Sequence, residues 1–192
     1  MTQEEFLHRI AQFLATAGVP YMVAGAHVSG HHGIPRSTVD VDIVIAPTPQ
    51  QLDAFLASLP EEYYASPAAA QQALRWRSMF NVIHSSEGWK ADLIVCKDRP
   101  FDREEFGRRQ VTPLYGTPVP IASAEDIILA KLEWNRITPS DRQWQDAFNV
   151  AVVQWPRLDR EYLRHWAGEL SLTSELESLL AEAERRQPPT DT

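Results

Sequence analysis

Apolar positions near the start of the chain recur at helical spacing, with Phe6, Ile10, Phe13, Leu14 and Ala17 on one face. Thr2 and Glu5 fit a capping box, and Gly18 with Pro20 ends the run, so the pattern predicts a helix over 2–17. The apolar run at 21–24, closed by Gly25, predicts a buried strand, and 27–33 a short helix. A second strand is expected over 38–46. Thr48-Pro49-Gln50-Gln51 then caps a helix whose buried face is Leu52, Phe55, Leu56 and Leu59. Past the alanine-rich stretch near Ala68, Trp76, Ser78, Phe80 and Val82 alternate with more polar positions, as a half-buried strand would. Ser85-Ser86-Glu87-Gly88 is a turn signal, and 89–96 is the return strand of a hairpin. The segment 110–121, rich in Val, Thr, Pro and Gly, predicts one or two short edge strands.

From Ser123 the pattern changes to helical periodicity. Four helices are expected, over 124–136, 139–153, 159–170 and 174–186, with Thr138-Pro139 as the cap of the second. That helix carries the stripe Trp144, Ala147, Phe148, Ala151 and Val152. The expected organisation is α+β: a mixed sheet flanked by helices over 1–122, a helical region over 123–187, and a polar, disordered tail over 188–192.

Composition narrows the classes. Of 192 residues, 44% are hydrophobic, which is enough for a packed core. Cys96 is the single cysteine, so neither a disulfide framework nor a thiolate zinc site can form. The acidic opening Met1 to Glu5 lacks the features of a signal peptide, and no apolar run approaches a membrane span, so a cytoplasmic protein away from membranes is expected. The net charge of −8 argues against broad non-specific binding to nucleic acid. A local basic cluster, Lys97, Arg99, Arg103, Arg108 and Arg109, is most simply a solvated loop and strand edge.

The candidate chemistry begins at Thr38-Val39-Asp40-Val41-Asp42-Ile43. In a strand Thr38, Asp40 and Asp42 share one face. Two adjacent carboxylates repel, and a divalent cation between them reverses the sign; Mg²⁺ takes hard oxygen ligands and commonly uses one or two carboxylates plus substrate phosphates. Asp92 lies within the otherwise apolar Ala91-Asp92-Leu93-Ile94-Val95, where an acid calls for a cation or a metal. Three acids on two strands are what two-metal phosphoryl transfer requires. Upstream, Gly25 and Ala26 stand at a strand-to-helix turn whose backbone N–H groups could receive phosphates. His27 and His31 are four apart but lack the glutamate and third ligand of a zinc motif.

The string Gly25-Ala26-x-Val28-x-x-x-His32-Gly33-Ile34-Pro35-Arg36-x-Thr38-x-Asp40-x-Asp42 resembles the signature of the polymerase-beta-like nucleotidyltransferases, in particular the bacterial abortive-infection-type toxin branch and its relatives. The likeness is specific over 21–45, moderate over 88–97 and looser over 121–150. It implies a Mg²⁺- or Mn²⁺-dependent nucleotidyltransferase using an NTP, with Asp40, Asp42 and Asp92 as metal-binding and catalytic acids. It implies phosphate contact at the Gly25–Ala26 turn, a lysine at Lys131 that contacts the nucleotide and serves catalysis, and an accompanying aspartate, Asp146. An RNA, protein or small-molecule acceptor and a partner antitoxin protein also follow from it.

Residue chemistry alone leaves alternatives at the periphery of this set. Lys131 could be a lysine snorkelling from the margin of an apolar face, and Asp146 could pair with Arg142 one turn away. Arg36 could contact triphosphate through its guanidinium fork or pair with an acid. Thr38 could orient a metal acid or be a β-branched strand residue. The family's second small residue is Ala26 here, where many active members carry Gly or Ser. A non-catalytic nucleotide- or partner-binding protein that keeps the fold is therefore the alternative.

Overall fold

The computed structural model describes residues 1–188; most of the tail expected over 188–192 lies outside the described residues. The chain divides into two compact units, Met1–Ala24 with Ser37–Ala122, and Gly25–Arg36 with the chain from Ser123 onward.

The first unit is built on one seven-stranded mixed sheet. Its strands are β1 (Tyr21–Val23), β2 (Asp40–Ile45), β3 (Tyr63–Ala65), β4 (Met79–His84), β5 (Lys90–Val95), β6 (Gln110–Leu114) and β7 (Thr117–Ile121). They run in the order β3-β4-β5-β2-β1-β7-β6. Pairs β1–β7 and β2–β5 are parallel, while β1–β2, β3–β4, β4–β5 and β6–β7 are antiparallel. In both central strands burial alternates, with Val41, Ile43 and Ile45 of β2 and Ala91, Leu93 and Val95 of β5 on the covered face. The same unit holds α1 (Gln3–Thr16), whose Thr2–Glu5 capping box is present and whose Phe6, Leu7, Ile10 and Leu14 are fully buried. Each such side chain contributes roughly 1.5–3 kcal/mol of hydrophobic stabilisation. Helix α3 (Pro49–Ser58) starts from the expected Thr48 capping box, with Leu52 and Phe55 buried.

The second unit contains α2 (Gly25–His32), α6 (Ala124–Ile137), α7 (Asp141–Gln154), α8 (Arg160–Glu169) and α9 (Thr173–Glu184). Its core is Val28 of α2, Ile127, Ile128 and Leu132 of α6, Val150 and Ala151 of α7, Leu163 of α8, and Leu176 and Leu179 of α9. The end of α2 lies hard against α7: a Cβ added at Gly33 would meet the Val150 nitrogen at 2.8 Å. The His32 carbonyl accepts a 2.7 Å hydrogen bond from Gln154 Nε2. Inside this unit Asp126, fully buried, accepts hydrogen bonds at 2.6 Å from Ser123 Oγ and from Tyr162 Oη, which ties α6 to α8.

Several local expectations are corrected. The alanine-rich stretch is a helix, α4 (Pro67–Trp76), capped by Ser66, and it ends at Arg77 in the left-handed region (φ 50°). Trp76 therefore belongs to that helix and is exposed, and the alternating strand starts only at Met79. The basic segment forms α5 (Pro100–Arg108) rather than a loop, with Arg99 closing a 2.5 Å ion pair on Asp102. Helix α7 begins after Ser140, not at Pro139, because the Ser140 backbone is extended, and the Asn135 side chain accepts from its N–H. Strand β2 begins at Asp40 rather than Thr38, and the Val39 carbonyl just before it accepts from Gln3 instead of a neighbouring strand.

Candidate active site

In the sheet unit, β2 and β5 run parallel and in register, so Asp42 stands beside Asp92 and Asp40 beside Lys90. Neighbouring strands are roughly 4.8 Å apart. Asp40, Asp42, Lys90 and Asp92 all lie on the face opposite the buried Val and Ile positions. Three carboxylates and one ammonium thus share a small patch.

The ammonium is central to it. Lys90 Nζ lies 3.2 Å from Asp40 Oδ1, 3.1 Å from Asp92 Oδ1 and 3.3 Å from Asp92 Oδ2. Asn81, the β4 residue in register with Asp92, donates to Asp92 Oδ1 at 2.6 Å. Asp92 is the more covered acid, 13% exposed at its side chain against 43% for Asp40. Burial works against the Lys90 ammonium, but the hydrogen bonds and charges of Asp92 and Asp40 outweigh it, so its pKa is raised. Neither Lys90 nor Asn81 figured among the expected site residues. Lys90 sits two positions before Asp92 and so on its face; that it also meets Asp40 depends on the β2–β5 register, which no sequence pattern displays.

Carboxylate oxygens on adjacent strands, already requiring a positive charge among them, are the hard donor set that suits Mg²⁺ or Mn²⁺. Among the described residues no three His, Cys, Asp or Glu side chains form a preformed metal cage. The metal fit rests on the shared carboxylate face.

The helical unit carries a second cluster. Asp146 of α7, buried, accepts from Arg36 at 2.8 and 2.9 Å, a two-pronged pair, and from Lys131 of α6 at 2.9 Å. Burial alone would raise the Asp146 carboxyl; the hydrogen bonds from Arg36 and Lys131, and then their charges, bring it below its ordinary value. Lys131 is itself buried, so it does not snorkel, and the partners of Asp146 are Arg36 and Lys131 rather than the nearby Arg142. Arg36 takes the acid-pairing alternative. One carboxylate thus faces two cations.

At the start of α2, Gly25 has φ +63°, a conformation that disfavours any side chain, and Ala26 is buried. The Ser29 hydroxyl donates back to the Ala26 carbonyl at 3.1 Å. His27 is buried and its pKa is lowered, by burial first and by the Arg36 charge second. In the sheet unit, the Cys96 thiol is pushed up to about 11, by burial and then by Asp102 and Glu105, which makes it an inert side chain.

No family model matches the chain, and no curated relative matches it. Solved structures do. The antibiotic-resistance factor ANT(2'')-Ia, in complex with adenylyl-2''-tobramycin, superposes at TM-score 0.56 and 14% identity, covering 97% of this chain and 99% of that one. The same factor in solution gives 0.56 and 14%, with 93% of each chain covered. An antigenic nucleotidyltransferase-like protein from Paracoccidioides brasiliensis gives 0.56 at 16% identity, covering 93% and 92%. The fold is that of the nucleotidyltransferases. At these identities the likeness establishes architecture, and the nucleotidyltransferase-type α+β organisation expected from the motif is the one observed. Among the described residues no helix is long and apolar enough to cross a membrane.

Proposed function

We propose that this protein is a divalent-cation-dependent nucleotidyltransferase that moves a nucleoside monophosphate from an NTP to an acceptor hydroxyl. The observation that carries this reading is the in-register placement of Asp40, Asp42 and Asp92 on one face of parallel strands, in a chain of this fold. Asp40, Asp42 and Asp92 would hold the metal, which when bound supplies charge neutralisation at the triphosphate. Asn81 fixes the orientation of Asp92. The acceptor oxygen bonds to the α-phosphorus, the bond from that phosphorus to the α–β bridging oxygen breaks, and pyrophosphate leaves. Asp92 is the group assigned to receive the acceptor proton before it passes to solvent.

The Gly25–Ala26 turn is assigned to phosphate through its backbone N–H groups, without a side-chain hydroxyl, since Ser29 is engaged with the Ala26 carbonyl. Thr38 takes a structural part, through its bond to the Asp40 carbonyl. In the Arg36–Asp146–Lys131 cluster, Asp146 holds the two cations in place, and the Lys131 ammonium and Arg36 guanidinium are donors of the kind that bind a nucleotide phosphate.

For the acceptor, the net charge of −8 favours a neutral or cationic small molecule over RNA. One fold neighbour was captured with adenylyl-2''-tobramycin, the adenylylated form of a small molecule. A toxin-like role with a partner antitoxin rests on the motif resemblance. Growth arrest on expression, relieved by the product of an adjacent gene, would support that role, and unimpaired growth would oppose it.

The test is incubation with each α-labelled NTP, Mg²⁺ or Mn²⁺, and panels of aminoglycosides, total RNA and total protein. Label transfer by the wild type that disappears in Asp42→Ala supports the enzyme. A second reading, a non-catalytic binding protein, is favoured by Ala26 and by the lysine among the acids. Metal-dependent NTP binding without transfer to any panel would support it.

A further inference from the structure

We propose that Lys90 is a built-in counter-cation of the carboxylate face, holding Asp40 and Asp92 together without a divalent cation and competing with that cation for the same oxygens. The inference rests on the metal reading of this face and adds to it an internal antagonist of metal binding.

The geometry leads to it directly. Lys90 reaches both acids from a single position, at 3.2 Å from Asp40 Oδ1 and at 3.1 and 3.3 Å from the two Asp92 oxygens. Its backbone is locked in register with Asp40, so the ammonium cannot depart farther than its own stem allows. Asp92 is largely covered, and its Oδ1 already accepts from Asn81. A cation approaching the remaining lone pairs of Asp92 therefore meets the lysine. Without that charge, Asp40 and Asp42 on one strand and Asp92 on the next would repel one another. Lysine suits an exchangeable occupant better than arginine does, since its ammonium is a compact charge with rotatable donors on a flexible stem. Two positive species drawn to the same carboxylates oppose each other's binding, and that coupling is reciprocal.

Mn²⁺ binding to the full chain, followed by calorimetry and by the electron paramagnetic resonance of free Mn²⁺, tests this with no dependence on activity. Circular dichroism establishes folding, and Lys90→Met and Lys90→Gln serve as two neutral variants. The expected result is Mn²⁺ affinity tighter by about fivefold or more in both neutral variants. Their melting temperatures should fall in EDTA and rise more on adding Mn²⁺ than the wild type's does. Lys90→Arg, which keeps the charge on a less exchangeable group, should bind Mn²⁺ no more tightly than the wild type. Neutral variants that fold and bind Mn²⁺ no more tightly than the wild type overturn the inference while leaving the metal reading in place. Absence of Mn²⁺ binding in wild type and variants alike overturns both.

Discussion

Asp146 is a buried carboxylate held by two cations, and its protonation links pH to stability. Its folded-state pKa is lowered, so the stability it contributes is complete above the ordinary carboxyl value of about 3.9 and is lost as pH falls through the lower folded value. Asp146→Asn should therefore cost about 2 kcal/mol at neutral pH, a value reduced by the part exposure of Arg36. The same variant should show a flatter stability curve below about 3.9. Urea melts across pH check both; a variant with wild-type stability and an unchanged acid limb would remove the cluster's structural role. Alternation along Thr38 to Ile45 made Asp40 and Asp42 legible as a same-face pair, and Asp92 was conspicuous among apolar neighbours. Their surroundings were not. Lys90 and Asn81 reach these acids through strand register, and Arg36 reaches Asp146 across 110 positions of chain. Such contacts belong to tertiary pairing and leave no periodic trace.

At the scale of elements, the short helix α2 explains why the motif contains a glycine after His32. A Cβ at Gly33 would stand 2.8 Å from the Val150 nitrogen, 2.9 Å from the Asn149 carbonyl carbon and 3.0 Å from the Ser29 carbonyl oxygen. All three are backbone atoms, which cannot swing aside. Gly33→Ala should lower stability by about 2 kcal/mol through this overpacking. Gly107→Ala on α5, with open space around its added carbon, should raise stability by about 0.5 kcal/mol from helix propensity alone. Opposite shifts in melting temperature check the pair, and equal shifts would refute the close packing of α2 on α7. Amphipathic spacing made α1, α3 and the four C-terminal helices legible, because each buries one stripe. Helices α4 and α5 were missed for a physical reason. The alanines of α4 give little contrast between faces, and α5 is mostly charged with Phe101 as its main buried anchor. The three-residue strand β3 is too short to alternate visibly.

For the whole molecule, the seven-stranded order places β2 at the centre, paired in parallel with β5. Local patterns name those strands but not their adjacency, which comes from closing the sheet. The resemblance named Asp40, Asp42 and Asp92 as one set of acids but gave no strand order, and the fold neighbours bear out the architecture. The acidic balance of −8 fits the proposed metal site, since an anionic chain repels a triphosphate unless a cation intervenes. The central claim is that Asp40, Asp42 and Asp92 constitute a divalent-cation site for nucleotide. The most direct measurement is titration of a fluorescent NTP into wild type and Asp42→Asn, with Mn²⁺ and with EDTA. The account predicts saturable binding by the wild type in Mn²⁺ alone, lost in Asp42→Asn. Binding that is indifferent to Mn²⁺, or that survives unchanged in Asp42→Asn, would contradict it.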